Sequence, residues 1–433
     1  MNTNIIPSRI FGRENSQVPI IGIGCSSFAN NFVASECDVV SALSVNQETA
    51  HSLPKDHPKV KEWIKTLQKA IDLGFNLLDT APWYGHGSSE VLIGFALKDI
   101  NIDRKRLIIN TKIGRYDAEP SKQFDFSYDM TIKSVKRSLD RMGCGYIDVL
   151  QLHDPEFAPS VDLLMKETIP AMLECKKRGW TKALGLTGYP LELHYEILEC
   201  ASREFSLVND GRVFDQVLTY CHFNLHNQNL CTLPMKDEKK KLSLMEYCKS
   251  KSIPLMAAAP LSMGLLTHNT PPFWHPASVE LKQACRIAGE IAADNGVNLP
   301  MLATLFALAH DDISCTLIGM GCERDVENAM TAIERFSKIE NTESSISNMN
   351  STNDGGKALR KEIQIKLRPV LTDTESKVLQ IILNEKNGPF AQIWKSNGQS
   401  WDGMKEADMF WDQVQGGKEA ADKNMRQRSL SKH

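Results

Sequence analysis

Short runs of apolar residues recur along the 433-residue chain, with helix-like segments between them. The apolar runs are continuous rather than alternating, which is typical of strands that are covered on both faces, as in parallel sheets. Eight such runs are predicted as strands, at residues 19–24, 76–79, 107–112, 147–152, 183–187, 216–220, 254–259 and 315–319.

Helical periodicity fills several of the gaps between these runs. Three segments, 60–71, 130–142 and 169–178, repeat apolar residues at helical spacing, and a glycine suited to ending a helix follows each of them. Most strand–helix units span roughly thirty residues or more, the length of a crossover between parallel strands. Eight such units predict an α/β fold of the (β/α)8 TIM-barrel type, whose active site lies at the carboxyl ends of the strands.

A doubly wound open sheet is the competing architecture. It normally carries the glycine pattern G-x-G-x-x-G directly after its first strand. The segment 22–27, GIGCSS, lacks the third glycine, so the sequence favours the barrel.

The predicted barrel, residues 1–336, is complete near Phe336. Residues 337–356 are rich in Ser, Asn, Thr and Glu, which predicts a flexible linker. The remaining segment, 357–433, is a C-terminal extension whose role the sequence leaves open. It contains one amphipathic stretch, 374–383.

Composition and charge exclude several classes of function but do not alter the predicted fold. The formal net charge of −3 gives no reason to expect nucleic-acid or membrane-surface binding, and no apolar run is long enough for a spanning helix. The eleven cysteines have no C-x-x-C pair and no secretory leader precedes them, so we expect reduced thiols, a cytosolic protein and no metal site. The final Ser431-Lys-His departs from the peroxisomal Ser-Lys-Leu signal at its last position. A monomer or weak dimer is expected.

Four polar residues follow or end predicted strands: Asp79, Tyr84, Lys112 and His153. Taken singly, each has an ordinary structural explanation as a helix cap, a packing ring, a solvated cation or a hydrogen-bonded histidine. Their joint placement at successive strand ends favours a catalytic role instead, because those ends meet at one face of a barrel.

An acid, a phenol, an ammonium and an imidazole can together move a proton to or from an alcohol or carbonyl oxygen. A nearby ammonium favours phenolate, so Lys112 is expected to lower the pKa of Tyr84 below its ordinary value of about 10. Asp79 would hold Lys112, and a neutral His153 would donate a hydrogen bond to the substrate oxygen. Tyr84 is then the general acid in reduction and the general base in oxidation.

The sequence resembles the aldo-keto reductase superfamily, whose tetrad of Asp, Tyr, Lys and His matches these four residues in order and context. The segment 79–85, DTAPWYG, is similar to the signature around the catalytic tyrosine. The resemblance covers roughly residues 15–336. It is strongest to the aldose 1-dehydrogenases, and the run 271–282, PPFWHPASVELK, is its most distinctive stretch.

The resemblance implies oxidation of a sugar such as L-galactose or D-arabinose at its anomeric carbon, giving an aldonolactone, with a nicotinamide dinucleotide as cofactor. NAD is favoured and NADP possible, since Gly319-Met320 replaces a Lys-Ser pair found in many NADP-preferring members and Arg324 could still bind a phosphate. Trp83 and Trp274 are candidate substrate contacts. The candidate cofactor contacts implied by the resemblance are Thr187, Gln216, Leu261, Met263, Gly264, Gly319, Arg324, Glu327 and Asn328.

Gly188 replaces the asparagine usual beside Thr187 in many relatives. Two other functions stay open at this point. One is an NADPH-dependent carbonyl or aldehyde reductase. The other is a non-catalytic nicotinamide-binding regulatory subunit, because the superfamily's barrel also serves potassium channels in that way.

Overall fold

A computed structural model describes residues 6–11, 16–29, 47–48, 50–100, 102–117, 119–208, 211–235, 241–269, 271, 275–339, 355–391, 394 and 403–430. Its strands are β1 Ser8–Phe11, β2 Ser16–Pro19, β3 Ile21–Gly24, β4 Leu77–Asp79, β5 Ile108–Ile113, β6 Ile147–His153, β7 Thr181–Gly188, β8 Gln216–Tyr220, β9 Leu255–Ala258 and β10 Ile313–Gly319. Strands β3 to β10 close into one parallel barrel, with β10 beside β3. The predicted (β/α)8 fold and its eight strands are confirmed, with ends shifted by no more than two residues.

The helices of seven residues or more in the described ranges are α1 Pro58–Asp72, α2 Ser88–Asp99, α3 Tyr128–Met142, α4 Ile169–Lys177, α5 Leu191–Glu204, α6 Leu244–Ser250, α7 Val279–Asp294, α8 Leu299–Leu308, α9 Glu323–Phe336, α10 Gly355–Leu367, α11 Asp373–Ile382, α12 Gly403–Asp412 and α13 Gly417–Leu430. The three helices predicted between strands correspond to α1, α3 and α4. The predicted stop at Gly143 is also confirmed. Gly143 has a φ of 58° and closes α3 by donating its N–H to the carbonyl of Leu139.

A hairpin that the sequence did not predict closes the amino end of the barrel. Strands β1 and β2 pair antiparallel, and Val18 of β2 packs with barrel residues such as Leu77 and Leu317. The Arg9 guanidinium of β1 donates to the carbonyl oxygens of Leu308, His310 and Ile313 near the start of β10. The carboxyl ends of the strands therefore remain as the face available for a site.

The C-terminal helices pack on the barrel. Arg335 of α9 forms a two-pronged ion pair with Glu375 of α11, with N–O distances of 3.0 and 2.7 Å. Arg360 of α10 is buried and donates from Nε to the Gln228 side chain at 2.8 Å. The proposed boundaries at 336 and 356 stay predictions, because most of the predicted linker lies outside the described residues.

Two further findings concern the described residues as a set. Their ten cysteines are all free thiols, which agrees with the expectation of reduced cysteines. No single helix among them has both the length and the apolar character needed to cross a membrane, although α7 and α8, bent by 110°, pass that test as a pair.

Gly94 of α2 should be sensitive to substitution, because a Cβ there would overlap the carbonyl oxygen of Arg141 in the neighbouring α3. We expect Gly94→Ala to lower the free energy of unfolding by about 1–3 kcal/mol, measured by denaturant titration. Gly289→Ala in α7 is the matched control, since its Cβ would meet no atom within 4 Å. The control should be stabilised by about 0.5–1 kcal/mol, and equal effects of the two changes would contradict this packing.

Candidate active site

The four candidate catalytic residues lie together at the carboxyl end of the barrel. Asp79 ends β4, Lys112 is the fifth residue of β5 and His153 ends β6. Tyr84 begins a short 3₁₀ turn, Tyr84–Gly87, in the loop after β4. Adjacent parallel strands therefore deliver three of the side chains, and a tight turn brings the fourth over them.

Lys112 is the centre of this group. Its Nζ lies 2.5 Å from Asp79 Oδ1, 2.8 Å from the carbonyl oxygen of Thr80 and 3.2 Å from the Tyr84 hydroxyl. The Lys112 side chain is 2% exposed and that of Asp79 is 3% exposed. The carboxylate and the phenol raise the pKa of Lys112 against the opposing effect of burial, so the ammonium stays charged at neutral pH.

A chain of buried amides extends from Asp79 across the barrel. Gln151 donates to Asp79 Oδ2 at 2.8 Å, and Gln216 donates to Gln151 Oε1 at 2.9 Å. Asn110 in turn donates to Gln216 Oε1 at 3.4 Å. Since Lys112, Gln151, Gly185 and Gln216 are register partners on successive strands, these side chains share one layer of the interior. Both oxygens of Asp79 are thus hydrogen-bonded, which fixes the carboxylate.

The pKa of Tyr84 departs from the sequence expectation. Burial raises it above 10, and the Lys112 ammonium opposes this effect without reversing it. The expectation that Lys112 brings this pKa below its ordinary value is therefore wrong for the chain without ligands. The phenol form is favoured at neutral pH, which suits a proton donor. Use of Tyr84 as a base requires additional positive charge beside its hydroxyl.

His153 is neutral, as the sequence predicts. Burial lowers its pKa from 6.5 to about 3, and Lys112 and Arg115 add to that effect. Its ring stands edge-on to the Tyr84 ring at 6.2 Å between centroids, and its Nε2 lies 3.5 Å from Asp154 Oδ1. A neutral imidazole beside the phenol can donate one hydrogen bond to an oxygen placed between them.

A charged and aromatic cluster borders His153. Arg115 Nη1 lies 2.7 Å from Asp154 Oδ2, and its guanidinium carbon lies 4.0 Å from the centre of the Trp83 ring. Asp154 adopts the left-handed backbone conformation with φ of 47°, which is unusual for a residue other than glycine. Trp83, a predicted substrate contact, is half-buried beside Tyr84. The other predicted substrate contact, Trp274, lies outside the described residues.

A second buried ion pair supports the loop that carries Tyr84. Arg141 Nη1 lies 2.9 Å from Glu90 Oε2, and Glu90 Oε1 accepts a hydrogen bond from Thr111, the neighbour of Lys112. Arg141 also donates to the Gln47 side chain, whose amide donates to the Pro82 carbonyl at 2.7 Å. The segment 82–84 is therefore attached to a rigid, fully buried network.

The candidate cofactor residues fall into two groups. Thr187, which pairs in register with His153, and Gln216 lie on the barrel strands, where the Gln216 amide is already part of the buried chain. Leu261, Met263 and Gly264 lie in or beside the turn Ser262–Gly264 after β9. The backbone amides of Ser262 and Gly264 donate to the carbonyls of Ala259 and Leu261 within that loop.

The remaining candidates surround the end of β10. Gly319 ends that strand, and Arg324, Glu327 and Asn328 are exposed in the first half of α9. Glu327 pairs with Lys69 of α1 at 2.5 Å. Around Gly319 and Gly321 the first atoms that a Cβ would meet belong to Ser27, at 3.6 Å. Glycine at both positions keeps side chains away from the start of α9, a helix N-terminus that favours a phosphate-bearing group, although Asp325 already accepts the N–H groups of Gly321 and Cys322.

Gly188 has a steric explanation. A Cβ there would lie 2.7 Å from Glu156 Oε2 and 2.8 Å from Pro155 Cδ, so the loop after β6 occupies the space of a side chain. Burial and the Asp154 carboxylate raise the pKa of Glu156 well above its usual range.

Sequence analysis missed Gln151, Asn110, Arg115 and Asp154 as parts of the site. One signal for Gln151 was present: it is a polar residue inside an apolar strand, two positions before His153 and hence on the same face. No group of three or more potential metal ligands occurs among the described residues.

Comparisons with known proteins show which family the chain is similar to. The model of the Aldo/keto reductase family matches residues 52–352. L-Galactose dehydrogenase of Arabidopsis thaliana is 37% identical over 276 residues, which cover 64% of this chain and 79% of the plant protein. D-Arabinose 1-dehydrogenase of Saccharomyces cerevisiae is 33% identical over 272 residues, covering 62% and 76% of the two chains.

Among solved structures, an aldo-keto reductase from Bacillus halodurans superposes with a TM-score of 0.54 at 20% identity, covering 86% of this chain and 99% of the other. At this identity the match establishes the fold alone.

The protonation state of His153 can be measured directly. We expect its ring to remain neutral between about pH 8 and pH 5, because its pKa lies near 3 rather than at 6.5. Nitrogen chemical shifts of histidine-labelled protein, with the His153→Gln variant to assign the signal, provide the test. A His153 signal that titrates near the ordinary value would show that burial does not control this residue.

Proposed function

Since this chain belongs to the aldo/keto reductase family, we propose that it is an NAD(P)-dependent aldose 1-dehydrogenase. Its substrate would be a sugar such as L-galactose or D-arabinose, oxidised at C1 to the aldonolactone. Two relatives with those sugars in their names share 37% and 33% of their aligned residues with the chain, which supports this substrate class. The observation that most supports the proposal is that the Tyr84 hydroxyl lies 3.2 Å from Nζ of the buried, ion-paired Lys112.

A nicotinamide dinucleotide, when bound, accepts the hydride that leaves C1 and brings the positive charge of its oxidised ring. The residues that would hold it are Thr187 at the strand ends, the turn Ser262–Gly264, and Gly319 with Arg324 at the start of α9. Gly319, which carries no side chain, and the start of α9 beside it suit the phosphates. NAD is the favoured form, because Gly319-Met320 at the end of β10 supplies no lysine to meet a 2′-phosphate.

Each residue of the tetrad then has one task in oxidation. Tyr84 accepts the proton of the C1 hydroxyl, so the oxygen keeps the electron pair of the broken O–H bond and forms the lactone carbonyl. Lys112 stabilises the phenolate during this transfer, and its own charge is held by Asp79. His153 donates a hydrogen bond to the same oxygen and positions it. In the reverse direction Tyr84 returns the proton.

Two substitutions distinguish a catalytic role of Tyr84 from a structural role. We expect Tyr84→Phe to lower kcat for sugar oxidation roughly a hundredfold to ten-thousandfold, because general acid–base catalysis contributes that much. Dinucleotide affinity should change little, since only a hydroxyl is removed. Tyr146→Phe is the control, because Tyr146 precedes β6 at the other end of the barrel.

The assay follows the absorbance of the reduced cofactor with L-galactose, D-arabinose and L-fucose, each with NAD and with NADP. Turnover of Tyr84→Phe at the wild-type rate would remove Tyr84 from the mechanism. No oxidation of any sugar by the wild type, together with rapid NADPH-driven aldehyde reduction, would replace this proposal with a general carbonyl reductase.

A further inference from the structure

Helix α12 of the C-terminal extension contacts the loop that follows the catalytic strand β6. The Trp411 indole donates to the carbonyl oxygen of Phe157 at 3.1 Å. Phe410 packs edge-on against the rings of Phe124 and Phe157, at centroid distances of 5.0 and 5.8 Å. Phe157 ends the short turn Pro155–Phe157, which begins two residues after His153. The extension is thus in contact with the catalytic face of the barrel.

The same aromatic rings hold the guanidinium of Arg115. Phe124 and Phe157 stack on each other at 4.2 Å, and the Arg115 guanidinium lies 5.2 and 5.8 Å from their centres. The guanidinium also lies over the Trp83 ring, with its carbon 4.0 Å from the ring centre. Arg115 is therefore enclosed by aromatic faces, an arrangement that attracts a planar cation and restricts its motion.

The Arg115 guanidinium can donate further hydrogen bonds at the carboxyl end of the barrel. Its Nη1 pairs with Asp154, whereas its Nη2 has no hydrogen bond among the described contacts. The side chain remains 24% exposed, in contrast to the 5% of Asp154. It lies against Trp83, the residue before Tyr84, and is joined through Asp154 to His153. A ligand whose reacting oxygen is held by Tyr84 and His153 would extend past this guanidinium.

We propose that Arg115 binds the hydroxyl groups of the sugar that are remote from the reacting carbon, and that helix α12 holds Arg115 in position through Phe410. This inference rests on the proposed function, because it requires a polyhydroxylated substrate. Arg115 is the binding residue, and Phe410 is a positioning residue that acts through Phe124 and Phe157. The family match ends at residue 352, so α12 is an element outside the matched region.

Steady-state kinetics with L-galactose and D-arabinose test the two roles. Arg115→Met should raise the KM for sugar about tenfold to a hundredfold, the effect of losing a hydrogen bond from a charged donor. The KM for dinucleotide should change by less than about threefold. Phe410→Ala should raise the sugar KM by a smaller factor, about three- to tenfold, because Arg115 remains but is less restricted. Met409→Ala is the matched control, since Met409 is exposed on the same helix.

The double variant distinguishes positioning from general loosening of the fold. If Phe410 acts through Arg115, adding Phe410→Ala to Arg115→Met should raise the sugar KM no further. Multiplied effects, or an equal rise in the dinucleotide KM, would show that α12 only stabilises the structure and would overturn its role. If Phe410→Ala folds poorly, Phe410→Leu, which keeps an apolar side chain, takes its place. Its sugar KM should lie between the wild-type value and the value expected for Phe410→Ala.

The same kinetic measurements distinguish a failure of the Arg115 role from a failure of the proposed function. Wild-type oxidation of sugars with an unchanged sugar KM in Arg115→Met would overturn the inference alone. A wild-type enzyme that oxidises no sugar would overturn both, and in that case the failure would already be visible before any substitution.

Discussion

The buried ion pair between Lys112 and Asp79 is the interaction on which the rest of the site depends. Taking two such charges out of water costs several kcal/mol per ion, and their attraction offsets this cost only when other hydrogen bonds satisfy the remaining atoms. Here Thr80, Tyr84 and Gln151 supply those bonds. The pair is thus stable only in one arrangement, and that arrangement places an ammonium beside the phenol.

The closed barrel makes this arrangement possible. Parallel strands with matched register bring Lys112, Gln151 and Gln216 into one interior layer, although they lie up to about a hundred residues apart in the chain. The hairpin of β1 and β2 covers the amino end, and loops and the C-terminal helices surround the carboxyl end. In this polar interior each amide of the chain from Asn110 to Asp79 makes at least one hydrogen bond, and Asn110 Oδ1 is the one oxygen of that chain left without a partner among the described residues.

Much of this could be predicted from the sequence. Continuous apolar runs identified all eight barrel strands, and strand-end positions identified the tetrad, because both depend on local pattern. The hairpin was not predicted because β1 and β2 have only four residues each, and two residues of each strand are polar. The raised pKa of Tyr84 was not predicted for another reason. Strand order indicates the ammonium beside the phenol, whereas the burial that raises the pKa depends on packing. The contact of Phe410 with Phe124 joins segments that no local pattern connects.

The Lys112 ammonium favours the phenolate of Tyr84 more than the Asp79 carboxylate opposes it. An ultraviolet titration of tyrosine ionisation, with Tyr84→Phe subtracted, tests this most directly. In the free protein Tyr84 should ionise above its ordinary pKa of about 10. In the double variant Asp79→Asn/Lys112→Met, which removes both charges, it should ionise at a still higher pH. Ionisation of the double variant at the same or a lower pH would contradict the account.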